Sequence, residues 1–211
     1  MTGSRAMDPQ RPSAELLLRV YARGIFPMVD PHTGAIEYYS PDPRGVIPLD
    51  GLHVPKSLAR VQKRSPFELR TDTVFESVMR ACAESRPGRQ DTWLDERLIE
   101  AYTELHARGF AHSVEAWRDE QLVGGLYGVH IGGAFFGESM FSRPELGGTD
   151  ASKVCLVQLV EWLRAGDFSL LDTQFATEHL ARFGCVEIPR ERYLALLAEA
   201  LERRGRWPPA G

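Results

Sequence analysis

The chain has 211 residues, of which 43% are hydrophobic, and this is enough to bury the core of one domain or of two small ones. Its formal net charge of −4 argues against a generally basic, nucleic-acid-binding surface. Its three cysteines show no CxxC or Cys/His spacing, which argues against a cysteine-ligated metal site and favours buried free thiols.

The chain shows no signal for a membrane span or for export. It has no uninterrupted run of about 18 apolar residues, the length that a spanning helix needs. The first residues, MTGSRAMDPQRPSAE, lack the apolar core of a signal peptide. We therefore expect a soluble cytoplasmic protein, with residues 1–14 disordered.

The first part of the chain predicts a small α+β domain over residues 15–86. Gly24 ends its first helix, and two prolines within residues 40–44 exclude a regular helix or a central strand there. The predicted elements are a helix over residues 15–23, a turn over 25–27, a strand over 36–39, an extended segment over 46–49, a helix over 56–64, a strand over 67–70 and a helix over 74–83.

The helix over residues 56–64 is strongly basic on one side. Residues 1–70 carry 10 Lys and Arg against 7 Asp and Glu, whereas residues 71–211 carry 15 against 22. At about 100° per residue, the basic side chains fall within one quadrant, with Leu58 and Val61 turned away; they are Lys56, Arg60, Lys63 and Arg64. Such a stripe fits a phosphate-binding surface and equally a solvated helix face.

The second part predicts a larger domain over residues 87–211, after a loop at 84–92 that contains Pro87 and Gly88. Three successive strands joined by tight turns predict an antiparallel meander. We therefore expect an α+β fold with a mixed sheet. The predicted elements are a helix over residues 94–108, strands over 112–117, 121–129 and 134–141, a helix over 151–164, a strand over 168–172, a helix over 177–183, a strand over 185–188 and a helix over 189–204.

Polar groups occur at the ends of two of these strands. The run GGLYGVHIGGAFFGESMFS contains a single carboxylate, Glu138, where an ionised group is costly unless it is paired. Asp172, Thr173 and Gln174 follow another apolar stretch. We expect the two strand ends to meet in one cleft.

Several motifs in a fixed order resemble one family. They are RGIFP, YYSPDPR, TWLDERLIEAYTELHARGFAHSVEAW, LVGGLYGV, FFGESMFS, ASK and DTQF, spread over roughly residues 15–201. They are similar to the leucyl/phenylalanyl-tRNA–protein transferase family. The resemblance implies a C-terminal domain of the acetyltransferase-like (GNAT) type behind a small N-terminal α+β domain.

The resemblance also implies a reaction. Leu or Phe, and by extension Met, would pass from charged tRNA to the α-amino group of a protein that begins with Arg or Lys. This is aminolysis of an ester that is already activated, so we expect no metal, nucleotide or redox cofactor. The expected partners are aminoacyl-tRNA and such proteins, with no membrane, and the product would be marked for N-end rule degradation.

The family's catalytic positions fall here on Gln174, Asp172 and Glu138. Gln174 would accept a hydrogen bond from the attacking amine, with its orientation fixed by Asp172. An amide oxygen is too weakly basic to serve as a general base. The proton would therefore leave through the terminal ribose 2′-hydroxyl or a water, a choice that the sequence leaves open. Ionised Glu138 would hold the cationic substrate terminus or anchor the terminal nucleoside.

The resemblance assigns binding residues as well. The pocket for the aminoacyl side chain would be formed by Leu126, Phe135, Leu156, Leu159 and Leu163. The last three share one helix face, which is also the pattern of an ordinary core. Tyr39 and Trp93 would stack on the terminal adenosine, and the basic stripe over residues 56–64 would contact the tRNA acceptor stem.

Two other functions compete with this interpretation. The strand and helix order also suits an acyl-CoA-dependent N-acetyltransferase of the GNAT type, for which residues 143–148 only loosely resemble a diphosphate-binding loop. Carboxylates at Glu145 and Asp150 would repel a diphosphate. A non-catalytic module that binds tRNA or protein N-termini is the second alternative, and the presence of all three catalytic positions argues against it.

Overall fold

A computed structural model describes residues 11–64, 66–84 and 94–211 of the chain. Within these residues the helices are α1 (Ala14–Tyr21), α2 (Lys56–Arg64), α3 (Phe75–Ala83), α4 (Glu96–Ala107), α5 (Ala151–Ala165), α6 (Glu178–Ala181) and α7 (Arg190–Leu201). The strands are β1 (Phe26–Val29), β2 (Ile36–Tyr39), β3 (Arg44–Ile47), β4 (Glu68–Thr71), β5 (Ala111–Arg118), β6 (Gln121–Ile131), β7 (Ala134–Ser142), β8 (Leu170–Gln174) and β9 (Val186–Ile188).

The described strands form a two-stranded hairpin, β1–β2, and a seven-stranded sheet in the order β4-β5-β6-β7-β8-β3-β9. The pair β7–β8 is parallel and the other pairs are antiparallel. A parallel pair needs a crossover connection, and α5 provides it. The predicted α+β class with a mixed sheet is confirmed.

Helices cover both faces of the large sheet. Successive side chains of a strand point to opposite faces, and here Leu126 and Phe135 belong to one apolar core whereas Tyr127 and Phe136 belong to the other. The core on the Tyr127 side is completed by α1, α3, α4 and α7. The core on the Leu126 side is completed by α2 and α5. A sheet buried on both faces explains the nearly uncharged sequence of β6 and β7.

Every helix and strand predicted above is present, with ends displaced by at most three residues. The turn predicted over residues 25–27 is wrong, because Phe26–Val29 form β1, in which Pro27 lies opposite Tyr38. Proline is tolerated on an edge strand, where no ladder hydrogen bond is lost, and both strands of a hairpin are edges. The three cysteines are free and buried, as expected.

The predicted domain boundary, between residues 86 and 87, falls within residues 85–93, which are not described. On its N-terminal side, β3 pairs with β8 and β9, and β4 pairs with β5. The large sheet thus contains strands from both sides of residue 87, and the domain division stays a prediction. Of residues 1–14, residues 1–10 are not described, whereas Arg11 contacts Glu104 and Ser13 caps α1.

Candidate active site

Strands β7 and β8 separate where their pairing ends. The last parallel pair is Phe136 with Asp172, yet β7 continues to Ser142 and β8 to Gln174. Glu138 and Gln174 each lie two residues beyond that pair, so both strands deliver a polar side chain at the point of separation. The predicted meeting of the two polar clusters is observed: Gln174 Nε2 donates to Glu138 Oε1 over 3.4 Å.

A cavity of about 390 Å³ opens at the separation of the strands. Its wall combines residues of β6, β7 and β8 with residues of α5 and of α6 and its N-terminal cap. They are Leu126, Tyr127, Gly137, Glu138, Ser139, Met140, Leu156, Leu159, Leu171, Thr173, Gln174, Thr177, His179 and Leu180. An apolar hollow with a few convergent polar groups is the usual form of a small-molecule site.

Glu138 is held by two tyrosines on the opposite side of the sheet from α5. Tyr21 of α1 donates to Glu138 Oε1 at 2.7 Å and Tyr102 of α4 to Oε2 at 3.4 Å, and the two hydroxyls contact each other. Although part of the Glu138 side chain borders the cavity, the surrounding protein removes hydration from the carboxyl and raises its pKa from 4.5 to about 8. The charge of Asp172 raises it further, whereas the tyrosine hydrogen bonds and Arg44 lower it. The sequence suggested an ionised Glu138; burial instead favours the protonated carboxyl near neutral pH.

Asp172 is fully buried and forms a bidentate ion pair with Arg44. Arg44 Nε lies 2.9 Å from Oδ1 and Nη2 lies 2.6 Å from Oδ2. The Tyr193 hydroxyl donates to Oδ2 at 2.8 Å, and the Arg44 Nη1 donates to the Gly24 carbonyl at 2.8 Å. A buried pair of charges needs this full set of hydrogen bonds to offset its desolvation.

Asp172 also fixes the backbone of Gln174. The Gln174 amide N donates to Asp172 Oδ1 at 2.8 Å, and Gln174 has φ of 60°, in the left-handed region that few non-glycine residues adopt. The chain turns sharply here, and a Cβ on Gly45 of β3 would come within 2.5 Å of the Phe175 carbonyl carbon. The close approach explains a glycine at position 45. Asp172 therefore contacts the backbone of Gln174, and its predicted role in orienting the Gln174 side chain stays a prediction.

The structure separates the predicted side-chain pocket into two groups. Leu126, Leu156 and Leu159 line the cavity. Phe135 and Leu163 are fully buried and are not among the residues that line it. Phe135 instead stacks on Trp207 with ring centroids 5.2 Å apart, in the core beneath α5. The α5 face shared by Leu156, Leu159 and Leu163 therefore contributes residues both to the cavity and to the core.

A second hollow of about 180 Å³ lies on the other side of the Glu138 and Gln174 pair. Its remaining lining residues are Phe26, Pro27, Met28 and Phe175. Tyr39 of β2 is half-buried and stacks on Phe26 of β1 with ring centroids 6.2 Å apart. It therefore belongs to the β1–β2 hairpin that lines this hollow. Trp93, the other predicted adenosine contact, lies outside the described residues.

The basic stripe is located on α2, away from the cavity lining. Its four side chains, Lys56, Arg60, Lys63 and Arg64, are exposed, whereas Leu58 packs into the core. None of the four forms a salt bridge with another described residue. The predicted geometry is therefore observed, and contact with tRNA stays a prediction.

Among the described residues, one cluster has the composition of a metal site, Asp72, His106 and His112. Its ligand atoms are already engaged: His112 Nδ1 lies 2.7 Å from Asp72 Oδ2, and His106 Nδ1 lies 2.8 Å from the Ala111 carbonyl. The Ser113 amide donates to Asp72 Oδ1 at 2.8 Å. None of these residues lines the cavity.

Sequence reasoning did not single out Arg44, Tyr21, Tyr102, Tyr193 or His179 as site residues. Arg44 lies within the YYSPDPR motif, so the motif could have identified it as a site residue. The three tyrosines come from helices that are distant along the chain, and only packing places them beside Glu138 and Asp172. His179 follows the DTQF motif closely and lines the cavity.

Comparisons with known proteins agree on one family. The model of the leucyl/phenylalanyl-tRNA protein transferase family matches residues 46–198, and the model of that family's N-terminal domain matches residues 10–42. The chain is 53% identical over 196 residues to a leucyl/phenylalanyl-tRNA–protein transferase of Akkermansia muciniphila, covering 92% of this chain and 98% of the relative. It is 56% identical over 186 residues to the protein of that name in Phenylobacterium zucineum, covering 88% of this chain and 82% of the relative.

Solved structures give a weaker likeness. A putative acetyltransferase of the GNAT family from Desulfovibrio desulfuricans aligns with 50% of this chain and 70% of its own at 16% identity and a TM-score of 0.36. A ribosomal-protein-alanine N-acetyltransferase from Brucella melitensis aligns with 69% of this chain and 96% of its own at 13% identity and a TM-score of 0.40.

Proposed function

The chain belongs to the leucyl/phenylalanyl-tRNA–protein transferase family and is an aminoacyltransferase, and we propose that it transfers Leu or Phe from charged tRNA to proteins that begin with Arg or Lys. The observation that supports the proposal is the convergence of Glu138 and Gln174 at an apolar cavity of about 390 Å³. Met is included as a donor because its unbranched side chain suits the same kind of cavity.

In the proposed reaction Gln174 aligns the attacking amine. Its side-chain Nε2 faces Glu138, which leaves the carbonyl oxygen to accept a hydrogen bond from the α-amino group. The pKa of an α-amino group in a peptide is about 7.7–8.0, so part of it is neutral at cytoplasmic pH. Holding that amine against the ester carbonyl supplies effective molarity, and no cofactor is needed for the aminolysis of an activated ester.

Glu138 holds the acceptor in this proposal. Its pKa of about 8 is close to that of an α-amino group, so the pair can share one proton. A cationic acceptor terminus favours the carboxylate, because an adjacent positive charge lowers the pKa of a carboxyl group. Tyr21 and Tyr102 then remain as donors to the charged carboxylate.

The apolar part of the cavity selects the aminoacyl side chain. Leu126, Leu156 and Leu159 present aliphatic surface from the sheet and from α5. Each buried CH₂ contributes about 0.8 kcal/mol, so a Leu or Phe side chain binds more strongly than a small one such as Ala. A charged side chain would lose hydration without gaining a partner among these leucines.

The remaining predicted contacts are assigned to the tRNA. Tyr39 and Trp93 stack on the terminal adenosine, a contact worth about 1–3 kcal/mol per base. The exposed cations of α2 contact acceptor-stem phosphates. Since charged tRNA and newly exposed protein N-termini meet in the cytoplasm, we place the reaction there, as a step that marks proteins for N-end rule degradation. None of the described helices has the length and hydropathy to cross a membrane.

The loop before α5 argues against the acyl-CoA alternative. A diphosphate cradle needs free backbone N–H groups, but those of Leu146, Gly147 and Gly148 donate to carbonyls of the same loop. The Ser152 amide donates to Ser142 Oγ at 2.9 Å. The carboxylates of Glu145 and Asp150 lie in the same segment.

One incubation tests the proposal. The protein is mixed with labelled Leu-, Phe- or Met-tRNA and with peptides that differ only in an N-terminal Arg, Lys or Ala. We expect label in the Arg and Lys peptides from Leu- and Phe-tRNA and none in the Ala peptide. Saturable acetyl-CoA binding by calorimetry together with no transfer from any charged tRNA would overturn the proposal.

A further inference from the structure

His179 is the imidazole that faces the candidate cavity, and the proposed function gives it no role. It lines the cavity on the α6 side, close in sequence to Gln174. Within the described part of the chain, none of the other histidines lines this cavity. Its ring packs edge-on against Phe183, with centroids 5.5 Å apart.

The ring nitrogens of His179 have no hydrogen-bond partner among the described residues, although the side chain is half-buried. The helix that carries it is capped, because Thr177 Oγ1 accepts from the Leu180 amide at 3.2 Å. A half-buried imidazole without a partner, on the wall of a substrate cavity, is available to the substrate.

We infer that His179 accepts the proton of the attacking α-amine and returns it to the leaving 3′-oxygen of the tRNA, an inference that rests on the proposed transfer. As the amine nitrogen bonds to the ester carbon, its N–H proton moves to the imidazole, directly or through one water. When the bond from carbon to the 3′-oxygen breaks, the imidazolium protonates that oxygen. The sum is one amide and one free tRNA 3′-hydroxyl, with no net proton change and no further reactant.

The charges around His179 suit a proton acceptor. Burial lowers the pKa of His179 below 6.5, and the cations Lys153 of α5 and Arg182 after α6 lower it further, whereas Asp150 at the start of α5 opposes them. This shift favours the neutral imidazole near pH 7. Before the acceptor binds, Glu138 keeps its proton up to about pH 8, so Glu138 and His179 on the same cavity wall favour different protonation states near pH 7.

The test compares the wild type with His179→Asn and with His32→Asn, a matched change at an exposed loop position. Transfer of Leu to an Arg peptide is measured over a range of peptide and charged-tRNA concentrations from pH 5 to 9, which gives kcat and KM at each pH. We expect His179→Asn to lower kcat by about 10²-fold or more, the usual range for a lost proton acceptor. KM for charged tRNA should stay within about twofold, and His32→Asn should match the wild type.

The pH profile separates proton transfer from a structural role. The ratio of wild-type to His179→Asn rates cancels the titration of the peptide amine and of Glu138. This ratio should be constant above pH 7 and fall about tenfold per unit below the pKa of His179. Thermal melting checks folding, and His179→Gln replaces the Asn variant if needed.

The inference is overturned if the wild type transfers Leu and the kcat of His179→Asn stays within about threefold of it. It is also overturned if the variant loses activity only through a higher KM. A ratio that is independent of pH also overturns it, because protonation below the pKa of His179 would remove a proton acceptor. A wild type without transfer would instead refute the proposed function.

Discussion

At the scale of residues, the site depends on groups that are individually unfavourable and jointly satisfied. Gln174 has a left-handed backbone, Asp172 and Arg44 are buried charges, and Glu138 is a partly buried carboxyl. The left-handed backbone of Gln174 by itself costs about 1–3 kcal/mol. Such a conformation persists where the surrounding contacts determine it. The concentration of these groups at one cavity is the strongest local sign of function.

Gln174→Ala should lower kcat for transfer by about 10²-fold, because the acceptor amine loses its alignment. The dissociation constant for charged tRNA should stay nearly unchanged, since the contacts proposed for α2 and for the aromatic residues remain. Gln174→Asn is the control for the backbone, because Asn tolerates the left-handed region. Single-turnover kinetics with filter binding measure both quantities, and parallel loss of affinity and rate would contradict the assignment.

Asp172→Ala should destabilise the fold by about 3–5 kcal/mol, because it leaves the Arg44 guanidinium buried and unpaired. The double variant Arg44→Met/Asp172→Leu should recover most of that stability without recovering transfer. Urea unfolding measures the first effect and a transfer assay the second. A double variant as unstable as Asp172→Ala would show that the ion pair is not the cause.

Glu138→Gln should remove a pH dependence of stability. In the unfolded chain Glu138 loses its proton near pH 4.5, but in the fold it keeps the proton up to about pH 8. Raising the pH between these values therefore favours the unfolded state, and wild-type stability should fall across this window relative to Glu138→Gln. Tyr21→Phe removes a hydrogen bond that lowers the pKa of Glu138. The pKa of Glu138 in this variant should be higher, so the loss of stability should continue to a higher pH than in the wild type. Chemical unfolding at several pH values tests the sign, and equal slopes for wild type and Glu138→Gln would contradict it.

At the scale of elements, the cavity results from the geometry of two strands and one crossover helix. Strands β7 and β8 pair over a short segment and then diverge, and α5 closes the gap from one face. The basic helix α2 is attached to the same unit, since it packs on α5 through Leu58 in their shared core. The proposed tRNA contact on α2 is thereby held in a fixed position relative to the cavity.

Charge reversal of α2, Lys63→Glu with Arg64→Glu, should weaken tRNA binding and flatten its dependence on salt, because fewer counterions are released. The rate of transfer at saturating tRNA should change little. Arg19→Glu with Arg204→Glu gives the same change of net charge at exposed positions elsewhere and serves as the control. Equal losses in the two double variants would indicate a general charge effect and not a site on α2.

At the scale of the molecule, residues after α7 connect distant parts of the sheet. The backbones of Thr71 and Gly211 exchange two hydrogen bonds, and Trp207 Nε1 donates to Thr71 Oγ1 at 3.0 Å. The Trp207 indole also stacks on His112 and Phe135, at 4.4 and 5.2 Å between centroids. This segment therefore links β4, β5 and β7.

Trp207→Ala should lower stability by up to about 3 kcal/mol, the low end for a large aromatic because the ring is half-buried. Trp207→Phe keeps a stacking ring and loses the hydrogen bond to Thr71, so it should be intermediate. Urea unfolding ranks the three proteins. Equal stability of the Phe and Ala variants would show that the hydrogen bond, and not stacking, carries the effect.

The sequence by itself determined the elements, the α+β class and the motifs of the family. Helix and strand periodicities are local, so they were read correctly even where an end was displaced, and β1 was missed because Pro27 obscured an edge strand. Glu138, Asp172 and Gln174 were identified because polar groups in apolar strands are conspicuous.

Only the tertiary structure decided which groups surround them and what state they adopt. The partners of Glu138 and Asp172 come from α1, α4, α7 and β3, up to 128 residues away along the chain. The pKa of Glu138 depends on hydration lost through packing, and the cavity depends on where two strands diverge, which is also why Phe135 and Leu163 became core and not lining. Periodicity reports which face a residue occupies, whereas solvation and empty space are properties of the assembled molecule.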